Sequence, residues 1–346
     1  MGKIRVLVVE DSMVFRALLV QTLNKDPDIE VVAVARDPYE ARDAIIEYKP
    51  DVMTLDIELP RMNGIEFLRK LMPQYPLPVV VISSLSERVF DALSAGAVDF
   101  AAKPQTTDRQ QLELFISTEL PAKIKVAAVA QLNNLRALGT DHHVSVDRNQ
   151  KKIVVAIGAS TGGTEAIAAV LKDFRPDIPG VVIVQHMPAG FTEMFASRMD
   201  AICQVHVKEA KTGDVVQPGQ VLIAPGGDAQ MRIVNVKGEY QIICKREPKV
   251  NGHCPSVDVL FDSVANAAGK NAIGIILTGM GGDGAKGLLA MRQAGAQTIG
   301  QDPSTCVVYG MPKVAYDMGA VAYQEKLSDI ARRTYSILYK MKGDQS

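Results

Sequence analysis

No apolar run in this sequence reaches the length needed to span a bilayer, about 20 consecutive residues in a helix. The first residues, Met1-Gly2-Lys3-Ile4-Arg5, lead straight into a β-like run, without the hydrophobic stretch of a secretory signal. Together these absences point to a cytoplasmic chain with no membrane insertion. Surplus charge is missing too: 38 Lys and Arg against 39 Asp and Glu leave a net charge of -1, so no nucleic-acid partner is expected. Cysteine is scarce. Cys203, Cys244, Cys254 and Cys306 form no C-x-x-C pair, which argues against a zinc or redox motif and leaves four free thiols. The two halves share no fixed short period, which rejects a solenoid. What is abundant is apolar material, 47% of 346 residues: too long a chain for one ordinary core, and enough to fill two.

Residues 4–120 alternate strand and helix signals. Apolar, β-branched runs at 4–9, 30–35, 51–55, 78–83 and 97–101 predict five strands, with helices between them. Ser12 is the expected N-cap of a helix running to about Leu23. Short, continuously apolar strands separated by helices read as a parallel sheet covered on both faces. The pattern weakens after about residue 125, and the polar stretch from Thr140 to Lys152, with His142 and His143, reads as a solvated linker. A second alternation begins at Lys152, with strands expected at 153–157, 180–185, 221–224, 273–277 and 297–300. Residues 231–236 and 239–245, around Lys237-Gly238, read as a hairpin. Both domains are therefore α/β, the second with an antiparallel insertion.

Three strand ends of the first domain carry acid: Glu10 and Asp11 after the first, Asp56 after the third. In an open parallel sheet, functional groups gather beyond the carboxyl ends of the strands. Neighbouring first and third strands would bring the three carboxylates together, an unfavourable arrangement unless a cation sits between them, and hard oxygens of this kind suit Mg²⁺. Ser83 and Lys103 follow the fourth and fifth strands. A hydroxyl and an ammonium are what a carboxylate needs to hold and sense a phosphoryl group. One strand-end Asp alone would read as a helix cap; five matched positions do not.

In the second domain, Gly158-Ala159-Ser160-Thr161-Gly162 matches G-x-S-x-G, a strand-to-helix turn that exposes a serine. The rival reading is a phosphate-cradling loop without catalysis, though no Gly-Lys-Ser/Thr is present for a Walker loop. A serine nucleophile needs a base. His206 sits in an alternating run, His253 lies in the loop 251–255, and His186 ends the strand 181–185 on the same sheet edge as Ser160. That placement favours His186. Asp283, after the strand 273–277, can orient the imidazole. Its segment also reads Gly279-x-Gly281-x-x-Gly284, formally a dinucleotide fingerprint with Asp302 near the expected acid position. Only one strand pattern is read after it, however, and a complete dinucleotide domain needs two mononucleotide halves.

The first constellation resembles response-regulator receiver domains over residues 4–121. That resemblance implies a flavodoxin-like five-stranded fold, phosphorylation at Asp56, metal binding by Glu10, Asp11 and Asp56, and phosphoryl sensing by Ser83 and Lys103 with Phe100 at the aromatic switch position. Many relatives carry Asp where this chain has Glu10; the carboxylate is retained. The segments 158–166, Gln-His-Met-Pro 185–188, Pro-Ser-Val-Asp-Val-Leu-Phe 255–261 and Leu-Thr-Gly-Met-Gly-Gly-Asp-Gly 277–284 resemble the chemotaxis protein-glutamate methylesterases (CheB). This second resemblance implies a linker at 122–150 and a doubly wound catalytic domain at 151–346. It also implies catalytic Ser160, His186 and Asp283, with the backbone N–H of Met280 as oxyanion donor and a structural role for Gly310-Met311-Pro312. The implied activity is hydrolysis of glutamate methyl esters on methyl-accepting chemotaxis receptors, with no cofactor at the ester step, and deamidation of receptor glutamines. A chemotaxis histidine kinase is the implied phosphodonor. The unphosphorylated receiver is implied to block receptor access to Ser160.

Overall fold

The computed structural model describes residues 2–84, 88–130 and 153–343, which fall into two compact units. The stretch Thr140 to Lys152, with His142 and His143, lies outside the described residues.

In the first unit, the apolar runs form β1 (Ile4–Val9), β2 (Ile29–Ala35), β3 (Val52–Asp56), β4 (Val79–Ser83) and β5 (Asp99–Ala102), in the spatial order β2-β1-β3-β4-β5 with every pairing parallel. All residues of β3 and β4 are buried, as expected for strands covered on both faces. Ser12 caps α1 (Met13–Leu23) by accepting the Phe15 amide, as the sequence predicts. Glu10, Asp11 and Asp56 therefore lie at the carboxyl ends of two adjacent strands.

Helices α2 (Pro38–Tyr48), α3 (Gly64–Leu71), α4 (Arg88–Ser94) and α5 (Arg109–Thr118) complete the alternation. A sixth, α6 (Leu120–Ala128), crosses the boundary expected at 121/122 and packs against β3, β4 and β5. Its cause is legible: Leu120, Ile124 and Ala127 follow an i, i+4, i+7 stripe and all three are fully buried. Burial of the two large side chains contributes about 1.5–3 kcal/mol each, which holds the helix on the first unit.

The second unit is built on a seven-stranded sheet, all parallel. Its strands are β6 (Val154–Ala159), β7 (Gly180–Gln185), β8 (His206–Glu209), β9 (Gln220–Ile223), β12 (Ala272–Ile276), β13 (Gln297–Gln301) and β14 (Tyr323–Glu325), in the order β14-β13-β12-β6-β7-β9-β8. The hairpin β10 (Ala229–Val236) and β11 (Glu239–Arg246) pairs separately, turning at Lys237 and Gly238, both at positive φ as a tight two-residue turn requires. Two strands, β13 and β14, follow the 279–284 loop, where the sequence reading found one. β14 was missed because it has three residues and alternates no apolar face.

Chain direction fixes where a site can form. From β6 the chain moves outward through β7, then returns to place β12 on the opposite flank of β6. The strand order thus reverses between β6 and β12, and crevices at the carboxyl ends of such a reversal are where open α/β sheets bind ligands.

Candidate functional site

Ser160 leaves β6 beside that reversal, its amide held by the carbonyl of Thr278 at 3.0 Å. The turn is tight: the Gly163 amide donates to the Ser160 carbonyl at 2.7 Å, and Gly162, at φ 74, takes the left-handed conformation that starts α7 (Gly163–Lys172). His186 follows β7 and Asp283 follows β12. The His186 ring donates through Nε2 to Asp283 Oδ2 at 2.8 Å. Its Nδ1 is buried without a hydrogen-bond partner among the described residues, so Nδ1 is the nitrogen left to accept a proton. His206 is exposed on the edge strand β8, bonded to Asp200, and takes no part. His253 stacks on His186 with ring centroids 3.7 Å apart and planes 8° from parallel, a contact that its position in the sequence does not announce.

Asp283 is almost fully buried and gathers donors. Oδ1 accepts Asn251 Nδ2 at 2.8 Å, Ser256 Oγ at 2.7 Å and the Asp258 amide at 3.3 Å; Oδ2 accepts the Val257 amide at 2.7 Å besides His186. Burial pushes its carboxyl up, but the bonds from His186 and Asn251, the His186 charge and the Ser256 hydroxyl outweigh burial and hold it well below the usual carboxylate range. Asp283 also performs a structural task. The N-cap of α9 (Val257–Ala268) is Ser256, whose own side chain makes no cap bond, and the first amides of the helix are satisfied by Asp283. Neighbouring Asp258 is pushed up by burial and by the Asp283 charge, while its Oδ1 accepts the Gly287 amide and its Oδ2 accepts Asn251. Sequence reasoning missed Asn251 and the 256–258 donors as site residues, although 255–261 stood out as a motif.

Gly279 lies directly against Ser160: a Cβ on residue 279 would sit 2.7 Å from that of the serine. Met280 comes next, with its side chain half exposed. The Gly279 amide donates to Val308, and the Gly279 carbonyl accepts the amides of Gly310 and Met311. Only glycine fits at 310, where a Cβ would lie 2.5 Å from the Gly279 oxygen. The Gly279 backbone is thus engaged by the 308–311 segment, and Asp302 accepts the amide and hydroxyl of Ser304. An imidazole oriented by a buried carboxylate, beside a serine on a tight strand-to-helix turn, can perform acyl transfer.

In the first unit, ligand oxygens of Glu10, Asp11 and Asp56 all lie within 4.8 Å of one another. Lys103 Nζ donates to Glu10 Oε2 at 3.1 Å and Asp56 Oδ2 at 3.3 Å, and stands 4.1 Å from the Phe15 ring centroid. Burial pushes the Glu10 carboxyl up to about 7; Lys103 opposes this and the Asp56 charge adds to it. Three converging hard oxygens, two of them buried, against one ammonium fit a divalent cation. Ser83 is buried at the end of β4, where its carbonyl accepts the Lys103 amide at 2.7 Å; Phe100 is buried on β5.

Fold and clusters together define a response regulator: a receiver followed by an α/β output domain with a serine–imidazole–carboxylate arrangement. Family models agree, the CheB methylesterase model matching residues 155–334 and the response regulator receiver domain model matching residues 6–114. The protein-glutamate methylesterase/protein-glutamine glutaminase 2 of Syntrophomonas wolfei is 58% identical over 339 residues, covering 98% of this chain and 99% of that one. The protein-glutamate methylesterase/protein-glutamine glutaminase of Syntrophotalea carbinolica is 51% identical over 347 residues, covering 97% of this chain and 98% of the relative. Among solved structures, the Thermotoga maritima CheB methylesterase catalytic domain matches with a TM-score of 0.52 at 36% identity, covering 54% of this chain and 98% of that domain. The chain belongs to the CheB methylesterase family, as the motifs at 158–166, 185–188, 255–261 and 277–284 imply.

Proposed function

We propose that this chain hydrolyses glutamate γ-methyl esters on methyl-accepting chemotaxis receptors to glutamate and methanol, under control of phosphorylation at Asp56, and so serves chemotactic adaptation. The observation that carries the esterase chemistry is the 2.8 Å bond from His186 to a deeply hydrogen-bonded Asp283 beside the Ser160 turn. His186 Nδ1 takes the Ser160 proton as Oγ attacks the ester carbonyl. Asp283 holds the tautomer with the proton on Nε2 and stabilises the imidazolium that forms. The imidazolium returns its proton to the departing methoxide, and methanol leaves. A water molecule, deprotonated by His186, then cleaves the acyl-serine to free glutamate. The backbone N–H of Met280 stabilises the tetrahedral oxyanion, a role supported by the contact of Gly279 with Ser160. A glutamine amide presents the same carbonyl and loses ammonia by the same steps, giving the deamidase activity. None of this needs a cofactor.

In the receiver, Glu10, Asp11 and Asp56 would hold Mg²⁺, which would supply neutralising positive charge beside Asp56, the residue to which a chemotaxis histidine kinase delivers phosphate. Lys103 and Ser83 then hold the phosphoryl oxygens, with Phe100 responding as the aromatic switch. No helix among the described residues is long and apolar enough to cross a membrane, which suits a cytoplasmic enzyme working on the inner ends of its receptors. The test is methanol release from methylated receptor, with and without a phosphodonor. Wild type should be active and stimulated, and Ser160→Ala inactive; activity retained in Ser160→Ala would refute the assignment.

A further inference from the structure

The hydrogen-bond ladder between β6 and β7 ends where the site begins. Its register closes at Ala159 opposite Gln185, and the His186 amide makes one last bond to the Ala159 carbonyl at 3.1 Å. Beyond that point the two turns bearing Ser160 and His186 separate. One side chain bridges them. Gln185 is 4% exposed, and its Nε2 donates to the Ser160 carbonyl at 2.9 Å and to the His186 carbonyl at 3.2 Å. Both partners are acceptors, so the orientation of the amide is dictated: the NH₂ faces the two carbonyls and Oε1 faces away. Oε1 lies against Gly163, where a Cβ would come within 2.1 Å of it, so the first residue of α7 is a glycine that makes room for this amide.

We propose that Gln185 is a positioning residue that ties the Ser160 turn to the His186 turn and so fixes the separation of serine and imidazole. The inference rests on the reading of Ser160 and His186 as the reacting pair. Stability alone does not account for the residue. Its Oε1 is buried with no hydrogen-bond partner among the described residues, and a buried unpaired acceptor is unfavourable. A methionine would fill the same space without that cost. What the amide adds is a cross-link between two carbonyls on different turns, one of which, Ser160, is anchored a second time by the Gly163 amide. Proton transfer from serine to imidazole is steep in distance, so loosening this link reduces the fraction of molecules in reactive geometry without altering how receptor docks.

The experiment compares full-length Gln185→Met, Gln185→Glu and Ser160→Ala with wild type, measuring kcat and KM for methanol release from methylated receptor, and thermal midpoints. Gln185→Met should lower kcat roughly 10- to 100-fold with KM unchanged. Gln185→Glu keeps the shape but turns carboxylate oxygens toward two carbonyls. The ratio of its kcat to that of wild type should fall as rising pH ionises this buried carboxyl and recover as pH falls, when the protonated carboxyl regains a donor. That recovery reads the bridge even if Gln185→Met folds poorly. Wild-type kcat in both Gln185 variants beside an inactive Ser160→Ala would overturn the bridge alone, as would a rise in KM without loss of kcat. Full activity in Ser160→Ala would overturn the site reading and the bridge with it.

Discussion

Replacing Asp283 with alanine should damage the protein twice. In the proposed mechanism the carboxylate orients His186 and stabilises its charged form, and loss of such an orienting acid lowers kcat by roughly 10³- to 10⁴-fold. The second effect is on the fold. The same side chain pairs with Ser256 Oγ and the Val257 amide, both in fully buried residues at the start of α9. Stranding two buried donors, at about 1–3 kcal/mol each, removes roughly 2–6 kcal/mol of stability. For a domain of this size that corresponds to a fall of roughly 5–20 °C in the midpoint of its unfolding transition. Ser160→Ala strands no comparable group and should unfold with wild type. Thermal unfolding of Asp283→Ala, Ser160→Ala and wild type, followed by calorimetry so that the transitions of the two units are separated, gives the comparison. The pH dependence supplies its sign. Asp283 has a depressed pKa in the folded state, so its stabilisation is present above the unfolded value of about 3.9 and is lost as pH falls below it. The gap between wild type and Asp283→Ala should therefore be widest near neutrality and narrow below about pH 4. An Asp283→Ala midpoint equal to that of Ser160→Ala at neutral pH would refute the capping argument, whatever happened to turnover.

Three further outcomes are expected. Ser160→Ala and His186→Ala should each lower turnover more than Asp283→Ala does, and the Ser160/His186 double variant should be little worse than either single; effects that multiplied would contradict a concerted pair. Labelling from a small phosphodonor should require Mg²⁺ and disappear in Asp56→Asn, with Asp11→Asn raising the Mg²⁺ concentration needed; wild-type labelling of Asp56→Asn would exclude that acceptor. A fragment beginning near Lys151 should release methanol faster than the unphosphorylated full chain and ignore phosphodonor. Equal rates without phosphodonor would remove inhibition by the receiver and leave it a role in localisation or kinase docking.

The positions of Glu10, Asp56, Ser83, Ser160, His186 and Asp283 are legible because each ends or follows a short apolar strand, and parallel topology delivers strand ends to one edge. Period and turn chemistry suffice for that. What the sequence withheld was the content of the loops. Asn251 looks like a turn residue, and only the fold brings its amide between Asp258 and Asp283. The first amides of α9 are met by a residue from another strand end, Asp283, a pairing that no local pattern encodes. His253, one of three histidines in the second domain, lies face to face with His186, a relation between distant loops that no local pattern encodes. At α6 the apolar stripe of Leu120, Ile124 and Ala127, which assigns the helix to the first unit, crosses the domain boundary expected from the sequence.

The reversal of strand order between β6 and β12 sets a timetable for the emerging chain. Ser160 and His186 stand on neighbouring strands joined by a single helical crossover and can be brought together early. Asp283 arrives only after the hairpin, α9 and β12 have been made, because β12 must align along the flank of β6 that the earlier strands leave open. Such long-range pairing forms late, since the connecting chain has to be ordered before the contact rewards it. The order of the chain thus delivers the serine and the histidine to the sheet edge ahead of the carboxylate proposed to orient the imidazole.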